Sequence, residues 1–498
     1  MEIQFGKKRL SCLDPVVREV RSGEQTQELR LPDSMPDVGR IIAAWGQGIL
    51  RGKEWRRGEM SLSGGLMVWV LYAPEDGTRE KCIDTWIPFQ MKWDLPEDIP
   101  DGRMRMLCLP QFVDARSVSP RKILVRAGLS ALGEAWVPMT AEVFAPEEKV
   151  SGAELLRRTY PVRLNREAGE KAFQLEEELT LPASAPQPEG IVYYRLEPKL
   201  TDKKVLGNKV VFRGSGNLHT LYRSEEGQLH SWDFELPFSQ YDELNAEHGA
   251  DAQAEVLLSP TGLELSLDDE GHMRLKAGIT AQYLISDREM LNLIEDAYSP
   301  GRELTLQTGE LTLPVLLDDR TETIYGEQTL PADANVAADV SFLPEFPRQR
   351  RSGDTVVMET PGTFQVLYYG EDGILRSGTA RWEDSRTLPA DEDSRIVAFP
   401  VPSQPQAAAL SGQIRMKAEI PMTLSAASRQ SLPMVTGLEL GEQLQPDPNR
   451  PSLILRRAGE DGLWSLAKDT GSTLDAIRRA NNLQNEPDPN QILLIPVP

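Results

Sequence analysis

The chain repeats itself at an interval of about 150 residues, and this period limits its architecture more than any other feature. A Leu-Tyr pair, followed by a short polar segment and a glycine, occurs three times. The three sets are Leu71, Tyr72 and Gly77; Leu221, Tyr222 and Gly227; and Leu367, Tyr368 and Gly373. A repeat of this length in a chain of 498 residues predicts three related domains in tandem.

Two further landmarks keep the same frame. A Leu-Pro pair opens each copy, and a basic residue followed by alanine lies in the segment that closes it. The opening pairs are Leu31-Pro32, Leu181-Pro182 and Leu330-Pro331, and the closing pairs are Arg126-Ala127, Lys276-Ala277 and Lys417-Ala418. The last interval is shorter, so we expect the third copy to have lost loop residues.

Each Leu-Tyr pair is the end of an apolar run and precedes a polar tip and a second extended run. This pattern predicts a β-hairpin, with the glycine supplying the positive φ of the turn. We expect the leucines and tyrosines to pack in the core and across strands. The fold class that follows is mainly β and multi-domain, with three tandem sandwich-like modules.

Three segments instead carry apolar residues at spacings of three and four, which predicts short helices. They are VGRIIAAWG, GAELLRRTY and DREMLNLIEDAY. Two proline clusters suggest a module boundary and a linker. The predicted units are a lead-in at 1–25, β-rich modules at 26–178, 179–328 and 329–441, a linker at 442–452 and a C-terminal module at 453–498.

The charge balance excludes some classes of partner. Acidic residues number 76 against 54 basic ones, for a net charge of -22, which repels nucleic acid and anionic lipid. The acidity either keeps the protein soluble or matches a basic partner. The three cysteines are odd in number and show no CxxC spacing, which predicts a reducing compartment. No apolar run is long enough for a secretory signal or a membrane span, so we expect neither.

Catalytic patterns are missing from the sequence. The four histidines all lie in the second module without metal-ligand spacing, and the glycine-rich segments lack the residues of a phosphate loop. We therefore predict no enzymatic activity, no catalytic residue, no metal and no cofactor. A pair of carboxylates that meet only in the fold stays open as an alternative.

The last 46 residues, from Leu453, predict a strand, two helices and a strand. Leu463, Leu466 and Ala467 share one helical face, and Gly471 is placed to end that helix. Ser472 and Asp475 have the spacing of a capping box for the second helix, with Leu474, Ile477 and Ala480 as its buried stripe. Asn481 and Asn482 suit the left-handed residue that ends it.

These residues resemble a LysM module, a family that binds N-acetylglucosamine glycans in a groove between two loops. Carried over here, the groove would contain Gly459, Asp461, Gly462, Leu463, Trp464, Asn482, Leu483, Asn485, Gln491 and Ile492. Trp464 is either an exposed aromatic anchor or partly core. Gly462 stands where the family has a hydroxyl residue, and Glu486 to Pro489 lengthen the second loop. Glycan binding, protein binding and a cap without a ligand all stay open.

The segment LPDSMPDVGRII, the repeated hairpin and the terminal module together resemble the SipL family of spore-coat proteins with SPOCS repeats. The resemblance implies a non-enzymatic scaffold in the mother-cell cytoplasm, at the forespore surface. Its LysM module would dock on SpoIVA, the ATPase of the coat basement layer, with other coat proteins as further partners. The alternative is a protein that binds peptidoglycan of the cell or spore wall.

Overall fold

A computed structural model of the chain describes residues 2–145, 150–268, 271–390, 394–400, 404–445, 451–460 and 462–497. Strands make up about 76% of it and helices about 4%. The predicted class, mainly β with several domains, is therefore confirmed. Segments rich in Val, Leu, Thr and aromatic residues suit a pleated surface that is buried on at least one face.

The first long strands form two antiparallel sheets, which together we call group 1. After the short strand β1 (Glu2–Gln4), the strands of group 1 are β2 (Gly6–Arg30), β3 (Val38–Arg56), β4 (Glu59–Pro74), β5 (Lys81–Asp94), β6 (Arg103–Ser119) and β7 (Lys122–Ala145). One sheet has the order β2-β7-β6 and the other the order β3-β4-β5. Leu66, Val68 and Val125 are among the fully buried residues of their common core.

Group 2 repeats this connectivity. Its strands are β8 (Glu154–Leu179), β9 (Pro188–Leu206), β10 (Lys209–Ser224), β11 (Leu229–Glu243), β12 (Gln253–Leu267) and β13 (Met273–Tyr298). The sheets have the orders β12-β13-β8 and β11-β10-β9. In both groups the first strand pairs with the last, and the second, third and fourth strands form a meander.

Group 3 follows the same plan with interrupted strands. It contains β14 (Arg302–Pro331), β15 (Ala334–Pro344), β16 (Arg348–Ser352), β17 (Thr355–Gly370), β18 (Leu375–Pro389), β19 (Arg395–Pro400), β20 (Gln406–Leu410) and β21 (Gln413–Gln443). β15 and β16 both pair with β17, and β19 and β20 both pair with β21. β1 also pairs with β21, so the first strand of the chain lies in the sheet of the last group.

The predicted hairpins lie at the centre of each meander. Gly77, Gly227 and Gly373 have φ of 72°, 89° and 74°, as the turns between the paired strands require. Tyr72 and Tyr222 are buried, as are the leucines that precede them. The repeated sequence motif therefore encodes a turn and its core contacts.

The three predicted helices are wrong. Their segments lie in β3, at the start of β8 and at the end of β13. In β3, Ala43 and Trp45 pack in the core of group 2, while Ala44 between them packs in the core of group 1. Because both faces of the strand are covered, apolar residues follow one another without the alternation of a half-exposed strand, and the pattern imitates a helix.

Strand pairing also bears on the module boundaries. β8 and β14 pair along most of their length with β13 and β21, the last strands of groups 2 and 3. Pairing alone would thus place the boundaries near 146–153 and 299–301. The predicted boundaries at 178/179 and 328/329 stay predictions, as does the linker at 442–452, of which residues 446–450 lie outside the described part.

The first and last strands of each group extend beyond their sandwich as a two-stranded ribbon. Side chains from all three ribbons meet in one cluster, which we call the ribbon core. It contains Leu10, Cys12, Ala141, Val143, Val162, Leu164, Leu291, Leu293, Leu311, Leu313, Val315, Leu432 and Met434. Leu164, Leu293 and Leu313 are fully buried. Each group therefore completes its burial only against the other two.

Truncation of Leu293 to alanine tests this shared core. We expect L293A to lower the free energy of unfolding by about 2–5 kcal/mol, because a fully buried side chain leaves a cavity. L317A is the control: Leu317 is 42% exposed, so the change should stay within about 0.5 kcal/mol. Urea unfolding followed by tryptophan fluorescence measures both. A separate early transition for one group would contradict a core shared by all three.

A buried histidine links groups 2 and 3. His219 Nδ1 lies 2.7 Å from Asp233 Oδ1, and Nε2 lies 2.9 Å from Asp339 Oδ1 of β15. Burial and the nearby Arg195 oppose protonation, but Asp339 and the hydrogen bond with Asp233 outweigh them and raise the pKa of His219. The charged form of His219 therefore stabilises the contact between the two groups.

The raised pKa of His219 predicts a dependence of stability on pH. The contribution is complete below the unfolded-state pKa of about 6.5 and is lost as pH rises through the higher folded-state value. We expect H219Q to lower the free energy of unfolding more at pH 5.5 than at pH 8.5. Urea unfolding at both values measures this difference. H272Q, in a partly exposed turn, is the control; an equal loss for H219Q at both values would contradict the assignment.

Candidate functional site

The C-terminal module has the predicted order of elements. They are β22 (Leu453–Arg457), α1 (Gly462–Thr470), α2 (Leu474–Asn481) and β23 (Ile492–Pro496), and the two strands form an antiparallel pair. Leu463, Leu466, Ala467 and Ile477 are buried between the helices and the strands. Ile477 is the last buried residue of the stripe predicted on α2, because Ala480 is exposed.

Residues at the helix ends follow the prediction with one correction. Gly471, just after α1, and Asn482, the cap of α2, have φ of 58° and 53°, as expected of left-handed residues. The N-cap of α2 is Thr473, whose hydroxyl accepts the N–H of Ala476 at 3.1 Å. Ser472 was the predicted cap, but it is buried and its hydroxyl donates to the carbonyl of Pro496. It therefore ties the helix pair to β23.

The predicted groove lies between two loops that are bonded to each other. Gly459, with φ of 73°, donates its N–H to the carbonyl of Pro489 at 3.0 Å. The N–H of Leu463 donates to Glu486 Oε2 at 3.3 Å. Glu486 thus places a carboxylate at the N-terminus of α1, where an anion is stabilised by the free N–H groups. Sequence analysis noted the longer loop but not this contact.

The other predicted groove residues are scattered in role. Four of them are exposed: Asn482, Asn485, Gln491 and Ile492. Leu483 is half-buried, and its N–H donates to the carbonyl of Arg478. Leu463 is fully buried, so only its backbone reaches the loop. Gly462 has φ of 77° and starts α1. Asp461 lies outside the described residues. The assignment of these residues to ligand binding stays a prediction.

Trp464 faces the body of the protein. Its indole packs edge-on against Tyr298 of β13, with ring centroids 4.9 Å apart, and its Nε1 donates to Asp296 Oδ2 at 2.9 Å. Tyr298 is buried, and its hydroxyl donates to the carbonyl of Ser472 at 2.9 Å. Of the two alternatives for Trp464, packing therefore describes it better than an exposed anchor.

A second charge strengthens this contact. Lys468 Nζ lies 2.6 Å from Asp296 Oδ2. Partial burial favours the neutral carboxyl, but the hydrogen bonds from Lys468 and Trp464 outweigh it and lower the pKa of Asp296. The contact of Asp296 and Tyr298 with Trp464, Lys468 and Ser472 is called the docking contact below. Nothing in the sequence pointed to it, because its two sides lie more than 160 residues apart.

Two cavities lie where the groups meet. One, of about 470 Å³, is lined in part by Lys53, Arg103 and Glu170. The other, of about 380 Å³, is mostly apolar but includes Asp202 and Glu255. Glu255 is paired with the buried Arg105 at 2.6 Å, which holds it as a structural ion. Among the described residues no group of three acidic, histidine or cysteine side chains is arranged to hold a metal ion.

Family models match two parts of the chain. Residues 188–264, from β9 through most of β12, match the SipL SPOCS domain, and residues 460–496 match the LysM domain. The chain contains a SPOCS domain and a LysM domain. This confirms the resemblance inferred from the sequence. Both are families of non-catalytic binding or structural domains. No curated protein and no solved structure matches the chain.

The SPOCS match covers the meander and one further strand of group 2. Groups 1 and 3 share the strand connectivity of group 2, whereas the family match lies in group 2. Within the described part of the chain, no helix is long and apolar enough to span a membrane.

Substitution of Asp296 tests the docking contact. We expect D296A to weaken the attachment of the LysM domain by about 1–3 kcal/mol, the cost of losing hydrogen bonds to a charged group. Hydrogen exchange should then speed up at Tyr298 and at the start of α1. D475N is the control, because Asp475 is exposed and its ion pair is with the neighbouring Arg479 on α2. Unchanged hydrogen exchange in D296A would contradict this prediction and show that the packing of Tyr298 on Trp464 alone holds the LysM domain in place.

Proposed function

We propose that the protein is a non-enzymatic scaffold of endospore coat assembly, which docks through its LysM domain onto a SpoIVA-like ATPase of the coat basement layer. It would act in the mother-cell cytoplasm at the forespore surface. The observation that carries the proposal is the presence of SPOCS and LysM domains in one chain. The three-group body would present further surfaces to other coat proteins, so that linked weak contacts gain avidity.

The chemistry of the groove favours a protein over a glycan as the LysM ligand. Gly462 supplies no hydroxyl, and Glu486 occupies the N–H of Leu463, a donor that a sugar oxygen would otherwise use. Trp464 is engaged by Asp296 and Tyr298, so it offers no free ring for stacking on a sugar. A groove with few free donors and no free aromatic ring suits a glycan poorly.

The second candidate is binding of peptidoglycan through the same domain. It is favoured by the LysM match itself, since exposed Asn482, Asn485 and Gln491 keep amide groups at the groove. The two candidates differ in their ligand and can be separated by one experiment.

We expect the full chain to retain the basement-layer ATPase in a pull-down and to leave purified peptidoglycan unbound. A chain that ends before Leu453 should lose the ATPase, while its body stays folded by circular dichroism. The double variant N485A/Q491A distinguishes the groove: it should keep the ATPase but lose any glycan binding. Retention on peptidoglycan alone, lost in N485A/Q491A, would favour the cell-wall alternative.

A further inference from the structure

The two-stranded sheet of the LysM domain has one face that no part of the described chain covers. Leu453, Leu455 and Ile492 are 50%, 70% and 62% exposed. The register of β22 and β23 places them together, because Leu455 pairs with Leu494 and Arg457 pairs with Ile492. Paired residues of antiparallel strands point to the same face. We call Leu453, Leu455, Arg457 and Ile492 the outer face.

Within the described residues, the free edge of β22 carries unpaired backbone groups at Leu453, Leu455 and Arg457. The N–H of Leu494 donates to Asn481 Oδ1 at 2.7 Å, and the carbonyl of Leu494 accepts from Asn481 Nδ2 at 2.6 Å. Both backbone groups of Leu494 therefore point away from β22. In an antiparallel pair the partner residue then also points away. Leu455 therefore directs its N–H and C=O to the free edge, and so do Leu453 and Arg457, two residues to either side.

The bonds at both ends of the ladder agree with this assignment. Val497 donates to the carbonyl of Ser452 at 2.9 Å, and Ala458 donates to that of Gln491 at 2.9 Å. Ser452 and Ala458 each lie three positions from Leu455, and backbone direction alternates along a strand. The even-numbered residues of β22 therefore point their backbone groups toward β23. Among the described residues, β23 is the only strand that pairs with β22. An exposed apolar edge strand of this kind is a template for a further strand.

Charge indicates the composition of the added strand. Arg457 stands at the end of the outer face, exposed and without a carboxylate partner among the described residues. Arg456, on the opposite face, approaches Asp469 at 3.9 Å. A partner strand with apolar side chains at alternate positions and a carboxylate at one end would cover the leucines and neutralise Arg457. A second copy fits less well, since antiparallel pairing about Leu455 would place Arg457 opposite Leu453, and each chain carries a net charge of -22.

We propose that β22 takes up an extended segment of a partner protein, apolar at alternate positions and acidic at one end, as a third strand of the LysM sheet. The proposal rests on the proposed function, because it specifies how the LysM domain would hold a protein partner. It places recognition on the outer face and the edge of β22, away from the groove and away from the docking contact.

Three substitutions of Leu455 in the full chain separate the face from the edge. L455K puts a charge on the outer face, and L455P removes the N–H that faces the free edge while leaving the bonds to β23 in place. L455V keeps both features and is the matched control. Affinity for the basement-layer ATPase, measured by biolayer interferometry, should fall at least about tenfold for L455K and L455P and stay within about twofold for L455V.

Folding and self-association are controlled in the same samples. L317K introduces the same charge at another exposed leucine and should leave affinity unchanged. Hydrogen exchange of β23 shows whether the sheet survives each substitution. Binding of the ATPase by all three Leu455 variants would overturn the edge assignment while the proposed function stands. Dimerisation of the wild-type chain in light scattering, lost in L455K, would overturn the choice of a different protein as the occupant.

A peptide probe tests the edge if the wild-type chain does not bind the ATPase, an outcome that overturns the proposed function. The probe is a fluorescein-labelled peptide, Val-Thr-Val-Thr-Glu-Thr, whose two valines and glutamate lie on one face of an extended strand, and fluorescence anisotropy measures its binding to the full chain. We expect saturable binding that weakens about fivefold or more in L455K and with lysine in place of the glutamate. No saturation, or equal binding by L455K, would overturn the inference.

Discussion

The ribbon core is the constraint on which the rest of the structure depends. Each group is a small sandwich with its own interior, but its longest strands run on into a ribbon whose apolar face is covered only by the ribbons of the other groups. Leu10 of group 1, Leu293 of group 2 and Leu313 of group 3 come from three different groups and are buried together. Burial of this kind is not directional, and it holds the three groups together in one body instead of leaving them as independent domains.

Charged contacts add orientation to that apolar core. Arg105 and Glu134 of group 1 are almost fully buried, and Arg105 reaches Glu255 of group 2 at 2.6 Å. His219 and Asp339 do the same between groups 2 and 3. Buried ions are costly unless every partner is in place, so these pairs stabilise one arrangement of the groups and penalise the others. The apolar core supplies association and the ions select its geometry.

Much of this fold was predictable, and the wrongly predicted helices show where local pattern fails. The repeat, the hairpins, the β class and the elements of the LysM domain follow from local signals such as Gly77, Gly471 and the period of apolar residues. The segment around Ala44 was predicted as a helix because a strand covered on both faces loses its alternation. Near Leu293 the next residue, Ile294, is buried in a different cluster beside a register shift, and this break in alternation imitates helical spacing. The surfaces that cover a strand are set by how the groups assemble, and a short stretch of sequence carries no information about that assembly.

The candidate site shows the same division between local and distant information. The groove residues lie close in sequence and could be named from the LysM pattern, whereas Asp296 and Tyr298 belong to another domain and carried no signal. Their contact with Trp464 changes what the domain can do. A LysM domain that is held by its own tryptophan presents a fixed set of surfaces to a partner, so the conformational freedom lost on binding is correspondingly small. The groove and the outer face of β22 are then oriented by the ribbon of group 2, so the geometry of the body is transmitted to whatever the domain binds.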